Sequence, residues 1–219
     1  PLVDLSPRWL ADSNRLLFLR VPRRADGENE WPGLYTIAPD GSDLQQVGTL
    51  ETDHPISVYA LDTSPDGTQL VFNYLSTDDD FRDRIGVWVS SLDGSEPRQI
   101  LRTEVAFLPG AVSFSRDAAQ VLSFSPGYAA QRVENILPEH SATRLIDVAS
   151  AEEILIDETH YVYSAGWSPT GHALAYLVRA QDPDDAATGL YITTAPGESG
   201  QLVYNGFFII PTLYQYPAI

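Results

Sequence analysis

Apolar residues in this chain fall in short runs of alternating or near-continuous character, and each run is broken by a tight polar turn. Residues 56–72 show the unit best: Ile56, Val58 and Ala60 alternate with Ser57, Tyr59 and Leu61, a turn falls at Ser64-Pro65-Asp66-Gly67, and Leu70-Val71-Phe72 returns. Two such runs joined by such a turn predict a β-hairpin. Proline presets φ at the first central position, Asp accepts local backbone hydrogen bonds, and Gly takes a positive φ without steric cost. The unit recurs as Trp9-Leu10-Ala11-Asp12 before Leu16-Leu17-Phe18, as Phe114-Ser115-Arg116-Asp117 before Val121-Leu122-Ser123, and as Trp167-Ser168-Pro169-Thr170-Gly171 before Leu174-Ala175-Tyr176. Marked at Asp12, Asp66, Asp117 and Thr170, the copies lie 54, 51 and 53 residues apart. A fixed period of this length predicts one supersecondary unit per repeat.

A second hairpin follows the first in each repeat. It reads Gly33 to Ile37, Asp40-Gly41-Ser42 and Leu44 to Val47 in the first copy, and Gly86 to Val89, Asp93-Gly94-Ser95 and Arg98 to Leu101 in the second. Asp-Gly between alternating runs is a strong hairpin signal. In the third copy Ser150 to Glu152 replaces that turn after Thr143 to Val148, and Gly189 to Ile192 opens the hairpin of the fourth. Two hairpins make a four-stranded antiparallel sheet, and such sheets repeated radially are the blades of a β-propeller. The expected fold is therefore all-β, with blades at residues 1–50, 51–101, 102–157 and 158–204, and with 205–219 supplying a closing or extra strand and a tail. Helical repeats are disfavoured, because 15 Gly and 16 Pro sit mostly at run boundaries.

Composition narrows the partners. The 219 residues carry 13 basic and 30 acidic side chains, a formal charge of −17 that repels phosphate backbones and anionic lipid surfaces. Nucleic acid is not an expected partner, and neither is direct membrane insertion, because the longest apolar run, Phe207 to Ile210, is far short of a spanning helix. There is no cysteine, so disulfides and thiolate metal sites are excluded. The chain opens on Pro1-Leu2-Val3-Asp4 without Met, which reads as a processed or trimmed product.

The repeats resemble the propeller repeats of the TolB type, whose signature runs aromatic-Ser-Pro-Asp-Gly, two variable residues and Leu-Ala-Phe, with a later Ile-Tyr and Asp-Gly-Ser. Ser64, Pro65, Asp66 and Gly67 with Leu70 to Phe72, then Asp93 and Gly94 with Ser95, carry the resemblance in the second repeat; Trp167, Ser168, Pro169 and Gly171 with Leu174-Ala175-Tyr176 carry it in the fourth. The first and third repeats have lost the Pro and the Gly, at Ala11-Asp12-Ser13 and Arg116-Asp117-Ala118. The resemblance implies recognition of another protein by a noncatalytic scaffold, in the periplasm or otherwise outside the cytoplasm, with the cytoplasm left open. It equally implies the noncatalytic propeller of a serine peptidase of the prolyl-oligopeptidase type.

Candidate chemistry is sparse. Connections between the second and third runs of each repeat are variable and polar, and two carry acidic clusters, Asp78, Asp79 and Asp80, and Asp182, Asp184 and Asp185. Variable loops gathered on one face are the expected partner-binding surface. Ser168 sits in Gly166-Trp167-Ser168-Pro169-Thr170-Gly171, which misses the Gly-x-Ser-x-Gly spacing of a nucleophile elbow and lies in a hairpin. His54 and His160 both precede a first strand, beside Asp53 and in Asp157-Glu158-Thr159-His160, and with nearby carboxylates they are the candidates for a divalent cation, as in propeller lactonases and related hydrolases. The leading expectation is no catalysis, no cofactor and a protein partner; the metal-dependent hydrolase and the peptidase propeller are the alternatives.

Overall fold

Turn chemistry and strand alternation together divide the chain into four sheets. A computed structural model describes residues 2–22, 32–50, 57–75, 85–102, 111–124, 143–171, 173–178 and 186–206, and every regular element among them is a β-strand. The first sheet holds β1 (Leu2–Trp9), β2 (Leu16–Pro22), β3 (Gly33–Ile37) and β4 (Gln45–Thr49), and the second β5 (Ser57–Thr63), β6 (Gln69–Leu75), β7 (Gly86–Ser91) and β8 (Arg98–Arg102). The third comprises β9 (Ala111–Phe114), β10 (Gln120–Phe124), β11 (Thr143–Asp147) and β12 (Glu153–Leu155), and the fourth β13 (Val162–Trp167), β14 (Leu174–Val178), β15 (Gly189–Thr193) and β16 (Gln201–Asn205). Strands pair in chain order and antiparallel within each sheet. This is the β-propeller of four-stranded blades expected from the repeat. Asn205 ends β16 opposite Gly189; residues 207–219, expected as a closing or further strand, lie outside the described residues. No helix among the described residues is long and apolar enough to cross a membrane.

The β1–β2 type of turn keeps one geometry through all four repeats, although its letters drift. The amide N–H of Ser64 bonds the Gln69 carbonyl at 3.0 Å, and Leu10 with Arg15, Ser115 with Gln120 and Ser168 with Ala173 do the same at 2.8–2.9 Å. Gly67 and Gly171 hold φ of 72° and 74°, and where glycine is lost Ser13 and Ala118 take the left-handed region themselves at 56° and 58°. The serine hydroxyl explains part of this tolerance. Ser64 Oγ accepts the Gln69 N–H at 2.9 Å and donates to Asp66 Oδ1 at 2.5 Å, and Ser115 repeats this with Gln120 and Asp117 at 2.9 and 2.6 Å.

Packing follows from the period of two along each second strand, which sends neighbouring side chains to opposite faces of the blade. On β6, Leu70, Phe72 and Tyr74 join Leu17, Leu19 and Leu34 of the first blade, while Val71 joins Val112, Phe114 and Val121 of the third. On β10, Val121 faces backwards into the second blade and Leu122 forwards to Leu174, Tyr176 and Val178 of the fourth. The second and third blades therefore each have a rear face that meets the preceding blade and a front face that meets the next. Burial of each such aliphatic or aromatic side chain contributes about 1.5–3 kcal/mol. Among the first strands, β5 lies against both β1 and β9.

A strained turn without glycine is a correctable defect. Replacing Ala118 by Gly, at φ of 58°, should raise stability by about 0.5–1 kcal/mol in urea denaturation, because an L side chain there pays the left-handed penalty. Gly67→Ala should lower it by about 1 kcal/mol on the same grounds, since only Ala11 Cβ, at 3.5 Å, stands near the added methyl. Gly171→Ala should cost more, because its methyl would also strike Arg116.

Candidate functional site

His160 is the expected site residue that falls within the described part of the chain. It stands in the connection from β12 to β13, where the fourth blade meets the third, and a local Asx-type turn places it. Asp157 Oδ1 accepts the backbone N–H groups of Thr159 and His160 at 2.8 and 3.0 Å and the Thr159 hydroxyl at 2.8 Å. Its other oxygen accepts the Tyr176 hydroxyl at 2.6 Å and lies 3.0 Å from His160 Nδ1. Gly200 N–H donates to the Tyr176 oxygen at 2.8 Å, and Thr159 Oγ1 meets Ser199 Oγ at 2.7 Å. Tyr176 stacks on Tyr191 with centroids 5.5 Å apart, and the His160 ring lies tilted against Tyr191 at 5.3 Å.

Electrostatics follow from that geometry. The Asp157 side chain is fully shielded from solvent, and burial alone pushes its carboxyl up; hydrogen bonds from Tyr176, His160 and Thr159 outweigh burial and hold it below the usual carboxylate range. Burial and the bond to Asp157 push the Tyr176 hydroxyl up, so it stays a donor. The five donors around Asp157 occupy both oxygens, which leaves that carboxylate no free lone pair directed at a cation. The hydroxyls of Thr159 and Ser199 gather on the Nδ1 side of His160, whereas a nucleophile relay needs its hydroxyl on the nitrogen opposite the carboxylate. The arrangement thus locks a junction between blades.

A second polar set lies on the first strands. Arg8 of β1 and Asp62 of β5 occupy equivalent repeat positions, and Arg8 Nε stands 3.5 Å from Asp62 Oδ1. The Asp62 carboxylate also accepts the Phe114 N–H of β9 at 3.1 Å, so one side chain ties three successive blades. Burial pushes its carboxyl up, ahead of the opposing bonds from Phe114 and Thr63 and the charge of Arg8.

The other expected residues divide cleanly. Ser168 accepts the Ala173 N–H at 3.2 Å and meets Thr170 Oγ1 at 3.1 Å, as a hairpin residue does. Asp66 and Asp93 are held below the usual carboxylate range by hydrogen bonds from the turn, led by Ser64 and Ser95 respectively. Asp53, His54, Asp78, Asp79, Asp80, Asp182, Asp184 and Asp185 lie outside the described residues. Among the described residues no three His, Asp or Glu side chains gather as metal ligands. Sequence reasoning missed Asp157 as the hub, and Tyr176 and Asp62 altogether. The Asp-x-Thr-His spacing signalled the first; the other two depend on contacts between blades.

No family model matches the sequence, and no curated protein does. Solved structures similar in fold include acylaminoacyl peptidase from Pyrococcus horikoshii, with a TM-score of 0.57 and 13% identity over 94% of this chain and 32% of that one. Oligogalacturonate lyase from Vibrio parahaemolyticus matches with a TM-score of 0.58 and 10% identity over 93% of this chain and 54% of that one. An oligogalacturonate lyase in complex with manganese matches at 0.53 and 10%, over 88% and 50%. Likeness at these identities extends to the propeller fold alone, and so does the resemblance to TolB-type repeats. The chain spans between a third and about half of the length of these structures.

The two carboxylates should show opposite pH behaviour. Asp157, held low in the fold, contributes stability that is present above its ordinary value of 3.8 and lost as pH falls through the lower folded value. Asp157→Asn should cost about 2–3 kcal/mol at neutral pH, and the deficit should shrink on acidification. Asp62 is raised, so its ionisation opposes folding as pH climbs through the folded value above 3.8. Asp62→Asn should therefore gain on the wild type at neutral pH and lose that gain in acid. Urea titrations across pH check both; parallel pH profiles for the two variants would refute the assignment.

Proposed function

We propose that this propeller recognises another protein and carries out no chemistry of its own. The reading is supported by how the described acid and base groups are employed: Asp157, His160, Tyr176, Asp62 and the turn aspartates are engaged in bonds that hold turns and blade junctions. The variable segments, by contrast, all leave the chain between the second and third strands of a blade, after β2, β6, β10 and β14. Antiparallel order gives those four exits a common side of the propeller. The acidic residues Asp78 to Asp80 and Asp182 to Asp185 belong to two of these segments, so the partner surface that suits them is basic.

A pull-down from the native source should recover a specific companion, and converting Asp78, Asp79, Asp80, Asp182, Asp184 and Asp185 to Asn should weaken its capture and flatten its salt dependence while leaving the melting temperature unchanged. Recovery of no stable companion would count against recognition.

A second reading, that the chain is the propeller of a peptidase, draws on its 94% coverage by a match that occupies only 32% of acylaminoacyl peptidase. The complete reading frame separates the two, by the presence or absence of a hydrolase domain. For the metal-dependent alternative, the manganese complex of the lyase makes that ion the one to add. A cation at 100 times its dissociation constant stabilises the fold by about 2.7 kcal/mol. We expect no such rise with manganese and no loss on chelation; a rise abolished by His54→Ala or His160→Ala would establish the metal reading instead.

A further inference from the structure

One junction breaks the residue pattern that the repeats otherwise keep. The residues that stand opposite each other on the second and third strands are Phe18 and Tyr35 in the first blade, Phe72 and Trp88 in the second, and Tyr176 and Tyr191 in the fourth. In the third blade the same register pair is Ser123 and Arg144. Ser123 follows Val121 by two residues, so it shares the face that meets the second blade, and it is 4% exposed. A hydroxymethyl group and a guanidinium have taken the place of an aromatic pair. That guanidinium is engaged within its own sheet, where Arg144 Nη1 donates to the Thr143 carbonyl at 3.3 Å and Nε lies 3.7 Å from Glu153 Oε2.

The facing surface of the second blade changes with it. Asn73 follows Val71 by two residues and so shares the face that packs on Val112, Phe114 and Val121 of the third blade. The equivalent second-strand positions hold Leu19, which is fully buried, and Leu177. Asn73 is 1% exposed, and neither Nδ2 nor Oδ1 has a hydrogen-bond partner. Val87, opposite Asn73, and Val112, opposite Ser123, both belong to the apolar cluster of this junction, so the two polar side chains adjoin that cluster from opposite blades. On β5 the register shifts between Val58 and Leu61, and Ala60 there adds only a methyl group to the cluster. In the junction between the first and second blades the corresponding residues are Leu19 and Phe72, which share one apolar cluster.

A buried amide with neither atom bonded is costly, and folded interiors meet that need with protein groups or with ordered water. A buried water requires about two to four polar partners and takes roughly 30 Å3 of liquid volume. The space that a ring yields to a hydroxymethyl group exceeds that. We propose that the junction between the second and third blades is built around at least one internal water, which bonds the Asn73 amide and bridges to the Ser123 hydroxyl. Water suits this lining because Asn73 presents a donor and an acceptor and serine can act as either. A cation would leave Nδ2 unbonded, and an anion would leave Oδ1 so. The bridge joins two blades where Leu19 and Phe72 join their neighbours by apolar contact, and it requires no protein partner.

Magnetic relaxation dispersion of the solvent's oxygen nuclei tests this on the 219-residue chain, because a water held inside for longer than the molecule tumbles raises the low-frequency relaxation. Asn73→Leu combined with Ser123→Phe, which copies the residues of the first junction, should expel the water and lower the dispersion amplitude by that of at least one molecule, with the circular dichroism of the wild type. Should the ring not fit and that variant fold poorly, Asn73→Leu combined with Ser123→Ala leaves an apolar lining, which stays dry, and should show the same loss. A crystal structure of the wild type should place a solvent oxygen within about 3 Å of an Asn73 amide atom. Equal amplitudes in the wild type and the folded variants overturn the proposal. So does a crystal structure in which the Asn73 amide bonds only protein groups, or a guest larger than water.

Discussion

The second strands of the two middle blades bury both of their faces, and the rest of the structure depends on that constraint. A lone four-stranded sheet with Leu70, Phe72 and Tyr74 on one side and Val71 on the other cannot shield both sides at once. Its neighbours in the chain shield it, the preceding blade on one side and the following blade on the other. Stability is therefore a property of junctions, as in other repeat proteins, and the three apolar clusters each straddle two blades. Turn geometry serves the same end. Gly171 stands over Arg116 and Gly67 over Ala11, so successive hairpin turns nest against one another while the sheets pack.

Polar groups enter the junctions where their bonding is complete. Asp157 is the clearest case, because an unpaired buried carboxylate would be far more costly than the apolar contact it displaces. Five donors from its own turn and from Tyr176 satisfy it, and the stacked pair of Tyr176 and Tyr191, with the His160 ring tilted against it, closes the gap around it. Asp62 is bonded by fewer groups and remains poorly solvated, which is why the same residue type shifts the opposite way at the first strands. Asn73 is less well served, being 1% exposed with neither amide atom bonded.

The fold was legible because its signals are local. Ser-Pro-Asp-Gly needs only its own residues to make a turn, and alternation needs only its own strand to declare two faces. Even the third repeat, stripped of Pro and Gly, kept enough, since Ser115 and Asp117 rebuild the hydrogen bonds that hold Ala118 in an unfavourable conformation. The candidate site was legible only in part. His160 drew attention through its carboxylate-rich neighbourhood, but Tyr176, which completes the bonding of Asp157, lies 19 positions beyond that aspartate and reaches it only once the blades have docked. Asp62 was silent for the same reason, because Arg8 and Phe114 come to it from the blades on either side.

That division between local and assembled signals also bears on where specificity can reside. A residue inside a junction is constrained from two blades at once, so changing Leu122 or Tyr176 disturbs the packing of both partners. The segments after β2, β6, β10 and β14 join the ends of strands whose register is already fixed by their flanking residues, as between Phe72 and Trp88 or Tyr176 and Tyr191. Their length and charge can therefore vary without cost to the junctions, and they differ from blade to blade while the hairpin turns stay alike. Stability is thus carried by the junctions and the hairpin turns of each repeat, and these segments can change in length and charge without loosening them.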